Sequence, residues 1–157
     1  MSNGMTEELY EWFLKTAKYI SLRPRSEKEL RDYVSRKKVP ASIINPLFEK
    51  LYSLKLLGDE EFASWWIDQR NTFRPRSVMQ LRSELNQKGV SREIIESVLA
   101  KLVSIQTEID AAKCLIQKKL KLLSRIDSRE KKHKLMQFLM RKGFSWEIIE
   151  KAIQESI

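Results

Sequence analysis

Apolar residues recur along the chain in short stripes, and the same stripe is drawn three times. Ile43, Ile44, Leu47 and Phe48, then Ile94, Ile95, Val98 and Leu99, then Ile148, Ile149, Ala152 and Ile153 each follow the spacing i, i+1, i+4, i+5 that covers one side of an α-helix. A second stripe precedes each of them: Leu30, Tyr33 and Val34; Val78, Leu81 and Leu85; Leu135, Phe138 and Leu139. A further helix is predicted ahead of each pair, over residues 6–21, 59–71 and 107–123. Its anchors are Trp12, Phe13 and Tyr19; Phe62 and Trp66; Ala112, Leu115 and Ile116. The pattern predicts an all-α chain of three tandem three-helix repeats.

The letters repeat as well as the pattern. Lys88-Gly-Val-Ser-Arg-Glu-Ile-Ile-Glu96 returns 54 residues later as Lys142-Gly-Phe-Ser-Trp-Glu-Ile-Ile-Glu150, differing at two positions. Arg23-Pro-Arg-Ser26 returns 51 residues later as Arg74-Pro-Arg-Ser77, and the same shift lays Ile43-Ile44 on Ile94-Ile95. The units are therefore set at 1–57, 58–106 and 107–157. Ser26 with Glu29 and Ser77 with Gln80 have capping-box spacing at the start of the second helix, and Asp127 with Glu130 is a related start. Ser91 and Ser145 open the third helices, and Gly89 and Gly143 stand where a helix end needs left-handed backbone.

Unit one departs from the pattern in three places. Lys38 replaces the glycine, Pro40 replaces the capping serine, and Pro46 falls inside the third helix, which either kinks or starts afresh with Asn45 as its cap. Helices this short are marginal alone, so neighbouring units are expected to share a core in an elongated, curved array.

Charge narrows the partners. The chain carries 30 Lys and Arg against 21 Asp and Glu, a net +9, which favours an acidic partner. Residues 5–57 carry +4, 58–106 are balanced and 107–157 carry +5. No apolar run approaches the roughly 18 residues of a membrane span. The single cysteine, Cys114, excludes an internal disulfide, and no leader-like start is present, so a cytoplasmic monomer without membrane contact is expected. Met1 to Gly4 reads as a tail.

The chemistry of an enzyme is not visible. His133 lies among lysines and reads as an exposed, inert position; Cys114 lies on an apolar helix side and reads as a buried structural thiol. Asp59, Glu60 and Glu61 suit a helix start rather than a carboxylate pair. Trp65 and Trp66 are adjacent, so one should be buried and the other free for a partner or a neighbouring unit. No catalytic residue, metal or cofactor is expected. The candidate partner-binding residues are Arg23, Arg25, Arg70, Arg74, Arg76, Arg82, Lys88, Lys113, Lys118 and Lys121. Arginine is weighted because its planar fork binds carboxylate or phosphate at two points.

Four segments in order resemble the RecX family of RecA modulators: Leu22-Arg-Pro-Arg-Ser-Glu-Lys-Glu-Leu30, Leu56-Leu-Gly-Asp-Glu-Glu-Phe-Ala63, Gln80-Leu-Arg-Ser-Glu-Leu-Asn-Gln-Lys-Gly-Val90 and Phe138-Leu-Met-Arg-Lys-Gly-Phe-Ser145. The resemblance spans nearly the whole chain. It implies a nine-helix crescent that binds along the groove of a RecA filament on DNA and lowers its ATPase, strand-exchange and coprotease activities. A direct, sequence-nonspecific DNA-binding protein is the alternative reading, and a weak DNA contact is compatible with both.

Overall fold

The computed structural model of the chain describes residues 5–157, so the tail assigned to Met1 to Gly4 lies outside it. Among the described residues there are nine α-helices and no strand: α1 (Glu7–Leu22), α2 (Glu27–Arg36), α3 (Ala41–Ser53), α4 (Asp59–Phe73), α5 (Val78–Gln87), α6 (Arg92–Leu102), α7 (Ile105–Leu120), α8 (Ser128–Arg141) and α9 (Trp146–Ser156). They form three tandem repeats, α1–α3, α4–α6 and α7–α9, in which the first and third helices lie side by side.

Side-chain caps start most of these helices. Ser26 and Ser77 accept from the amides of Glu29 and Gln80, whose side chains return the bond, so both are complete capping boxes. Asp127 accepts from the amide of Glu130, and Ser91 and Ser145 from those of Ile94 and Ile148. The expected limits of the seventh helix need correction. Ser104 and Thr107 cap each other reciprocally, which starts α7 two residues early, and the helix stops at Leu120 rather than at 123.

The second helices all end in the same left-handed turn. The amides of Val39, Val90 and Phe144 donate to the carbonyls of Val34, Leu85 and Leu139, and the preceding residue has positive φ. Gly89 and Gly143 adopt φ of 80° and 93° without cost, whereas Lys38 is held there at 56°. Pro46 does not restart the helix, so the reading with Asn45 as a cap is overturned. α3 begins at Ala41 and runs through the proline, which forfeits a bond to the carbonyl of Ser42. Pro46 and Ser42 are both exposed, where water can satisfy that carbonyl.

The expectation of a shared core is also overturned. Buried apolar residues form three separate clusters, one per unit, centred on Leu30, Leu47 and Leu51; on Phe62, Ile67, Leu81 and Leu85; and on Ile116, Leu135, Leu139 and Ile149. The joints between units instead combine a few polar bonds with side chains laid over glycine or tryptophan. Ser26 and Ser77 are fully buried because the start of each second helix abuts the end of the next unit's second helix. At the first joint the Lys28 side chain lies over Gly89, where an added Cβ would come within 2.5 Å of the lysine Cβ. The Lys28 ammonium donates to the Gln87 carbonyl at 3.2 Å, and Asp59 accepts from the Glu27 amide at 2.8 Å. At the second joint Ser77 Oγ donates to the Lys142 carbonyl at 2.5 Å, and Met79 covers Gly143 as Lys28 covers Gly89. Lys28 and Met79 share a repeat position, as do Gly89 and Gly143, so the contact of a side chain over glycine is common to both joints while the hydrogen bonds differ.

Candidate partner-binding surface

Each repeat turns from its first helix to its second through a basic segment, and the structure sorts the candidate cations in these segments into occupied and free. Arg23 forms an ion pair with Glu29 and lies over the Trp65 ring at 5.8 Å, reaching from unit one to unit two. Lys88 approaches the same Glu29 from unit two at 3.3 Å and lies 5.4 Å over Trp66. Burial raises the Glu29 pKa, but the hydrogen bonds from Arg23 and the Ser26 amide, with the charges of Arg23 and Lys88, outweigh it and leave the carboxyl below its ordinary value. Neither tryptophan is fully buried, which corrects the expected division of labour. Both pack with Phe62 at the joint, and the Trp66 indole N–H is buried without an acceptor.

A contact between first and second helices recurs in each unit with different chemistry. In unit one Tyr19 stacks on Tyr33 with centroids 4.2 Å apart, and the Arg25 guanidinium sits 3.9 Å over the Tyr19 ring. Adding 51 to those three numbers gives Arg70, Glu84 and Arg76, and there Arg70 pairs with Glu84 at 3.0 Å while Arg76 stands 3.8 Å from the same carboxylate. In unit three Lys119 and Lys142 lie 5.1 and 5.6 Å over the ring of Phe138. An aromatic stack, an ion pair and a cation–π contact thus fill one structural position.

Arg25, Arg70 and Arg76 are therefore engaged inside the molecule, as Arg23 and Lys88 are. Arg82 pairs with Glu96 at 3.2 Å across the groove between α5 and α6; their hydrogen bond lowers the Glu96 pKa and raises that of Arg82. Lys113 meets Glu155 at 3.6 Å. Among the described residues, the side chains of Arg74, Lys118 and Lys121 are exposed with no partner, as is Arg125. The structure thus brings Arg23, Arg70, Arg76 and Lys88 together around the first joint and leaves Lys113, Lys118 and Lys121 on α7 and its end.

His133 is exposed, as expected, whereas Cys114 is only partly buried and lies outside the core cluster. No group of three His, Cys, Asp or Glu among the described residues could hold a metal ion, and no helix among them is long and apolar enough to cross a membrane. Asp59 serves the joint as well as its own helix start. Burial raises its pKa, which the bond from the Glu27 amide offsets in part and the nearby Glu27 charge reinforces. The Tyr52 hydroxyl beside it is pushed up to about 12, by burial first and then by Glu27 and Asp59. Sequence reasoning passed over Leu22, Phe73 and Leu122, the three most exposed large hydrophobic residues among those described. The 51-residue shift that joins Arg23 to Arg74 joins Leu22 to Phe73, so the signal was present.

Comparison with known proteins gives a consistent result. Family models described as the first, second and third three-helix domains of RecX match residues 14–51, 59–99 and 106–153. The regulatory protein RecX of Bacillus licheniformis is 33% identical over 150 residues, covering 96% of this chain and 57% of the relative. That of Bacillus pumilus is 32% identical over 144 residues, covering 92% and 54%. The chain thus spans about half the length of these curated relatives. A crystal structure of RecX from Lactobacillus salivarius superposes with a TM-score of 0.82 at 25% identity, covering 96% of this chain and 97% of that one. A second, of a regulatory protein RecX, superposes at 0.79 with 21% identity, covering 94% and 72%, and shares the fold.

Proposed function

Because the chain belongs to the RecX family of regulatory proteins, we propose that it docks along the assembled RecA filament on DNA and lowers the filament's ATPase, strand-exchange and coprotease activities. The observation that carries this reading is the threefold recurrence of one three-helix unit, each with a basic turn between its first and second helices. A row of like sites suits a partner made of like protomers. A ligand shifts an assembly equilibrium only as far as it prefers one state, so a protein that engages several protomers at once favours one arrangement of them and hinders the changes that ATP turnover needs.

The test is the ATPase rate of RecA on single-stranded DNA during titration with this protein. Slowing to a plateau is expected, and an unchanged rate at saturation would remove the proposal. Within it, the partner-binding residues are those whose cations are free. Arg74→Glu should weaken co-sedimentation with filaments by about tenfold, as expected for reversing an interface charge, and leave the fold intact because Arg74 has no partner among the described residues. Arg76→Glu is a poorer probe, since Arg76 stands beside Glu84.

A second reading, direct sequence-nonspecific binding of DNA, is favoured by one observation. Lys118, Lys121, Arg125, Arg129, Lys132 and Lys134 are all exposed between the end of α7 and the first turns of α8. Titration of labelled DNA at two salt concentrations without RecA separates the readings. Tight binding that collapses with salt supports direct binding, and weak binding leaves the filament reading in place.

A further inference from the structure

Leu22, Phe73 and Leu122 are 75%, 69% and 77% exposed, and no other large hydrophobic side chain among the described residues is so open to water. They are not scattered. Phe73 follows Leu22 by the 51 residues that relate Arg23 to Arg74, and Leu122 follows Phe73 by the 49 residues that lay the buried Ala63 and Ile67 on the buried Ala112 and Ile116. Single exposed apolar residues are ordinary, but one at the same place in all three repeats is a pattern.

The charge around them is equally uneven. The eight-residue windows 18–25, 69–76 and 118–125 contain three, three and four Lys or Arg and no Asp or Glu. These windows carry +10 when the whole chain carries +9, so the rest of the protein is slightly acidic. Each repeat therefore offers an apolar knob among basic residues.

We infer that Leu22, Phe73 and Leu122 are anchors that insert into equivalent apolar, carboxylate-rimmed pockets on successive protomers of a polymeric protein partner. The inference rests on the filament reading and deepens it by naming what enters the partner and what the partner must present. Phosphate backbone has no use for an exposed leucine or phenylalanine, whereas an apolar pocket rimmed by acids takes both the knob and the free cations near it, Lys18, Arg74 and Lys121. Because the knob recurs once in each of three like repeats, a partner built of like protomers can offer a pocket to each.

The test uses the full chain with Leu22→Ser, Phe73→Ser and Leu122→Ser, singly and together, in co-sedimentation with RecA filaments and in binding to free, unassembled RecA. Each single change is expected to weaken filament binding by about tenfold, the triple by more than a hundredfold, while binding to the free protomer falls far less. Unfolding temperatures should stay near wild type, since substitutions at such exposed positions rarely alter stability. Wild type and triple variant pelleting alike would overturn the inference and leave the filament reading standing. A wild type that does not pellet removes both. If the triple change instead abolishes binding to naked DNA or to anionic phosphatidylserine vesicles with filament binding unaltered, the knobs serve a different surface and the inference fails.

Discussion

Lys38 occupies a backbone conformation that the other two units give to glycine. Its φ of 56° brings Cβ against the adjacent carbonyl, a strain that Gly89 and Gly143 avoid. Lys38→Gly should therefore stabilise the protein by about 1 kcal/mol, read as a rise in denaturant midpoint with unchanged slope; a fall in midpoint would mean that the lysine makes compensating contacts. Glu29 gives a second prediction at this scale. Its folded pKa lies below the ordinary value, so its contribution to stability is complete above the ordinary carboxylate range and disappears as pH falls through the depressed value. Glu29→Gln should cost about 1 kcal/mol near neutral pH, and the gap between variant and wild-type unfolding temperatures should close on acidification. A gap that persists at low pH would show that the side chain acts by packing or capping alone.

At the scale of elements, three sequences make one contact between first and second helices, by Tyr19 on Tyr33, Arg70 with Glu84, and Lys119 over Phe138. Sequence reasoning found the registry but not the equivalence, because tyrosine, glutamate and phenylalanine share no propensity or pattern value. What they share is a place on the second helix that faces the end of the first. The pair in unit two is consequently replaceable. Glu84→Tyr alone strands Arg70, whose Nε is already buried without an acceptor, and should cost about 1–3 kcal/mol. Arg70→Tyr with Glu84→Tyr rebuilds the stack of unit one beneath Arg76 and should recover most of that loss, measured as a coupling energy in a double-mutant cycle. Additive losses would refute the equivalence.

For the molecule as a whole, separate cores with few contacts between units make the array weakly coupled. Leu139 is fully buried in the third cluster alone, so Leu139→Ala should destabilise by about 2–5 kcal/mol. The loss should remain local: amide exchange should accelerate through α7–α9 and stay near wild type in α1–α3. Uniform acceleration along the chain would show that the joints transmit more than their few contacts indicate.

The repeat, the helices, most of their caps and the core positions were legible in the amino-acid order, because they depend on neighbours three or four residues apart and on spacing that survives divergence. Pro46 was one exception. Its cost falls on the exposed Ser42 carbonyl, and exposure is not a local property. Which cations are occupied was settled only in three dimensions. Arg23 looks like Arg74 in its segment, yet Arg23 is drawn onto Glu29 and Trp65 at the first joint while Arg74 is left in solvent. Burial of Ser26 and Ser77, the Asp59 bond to α2 and the independence of the three cores likewise arise from how one unit abuts the next, and that arrangement depends on partners dozens of residues away.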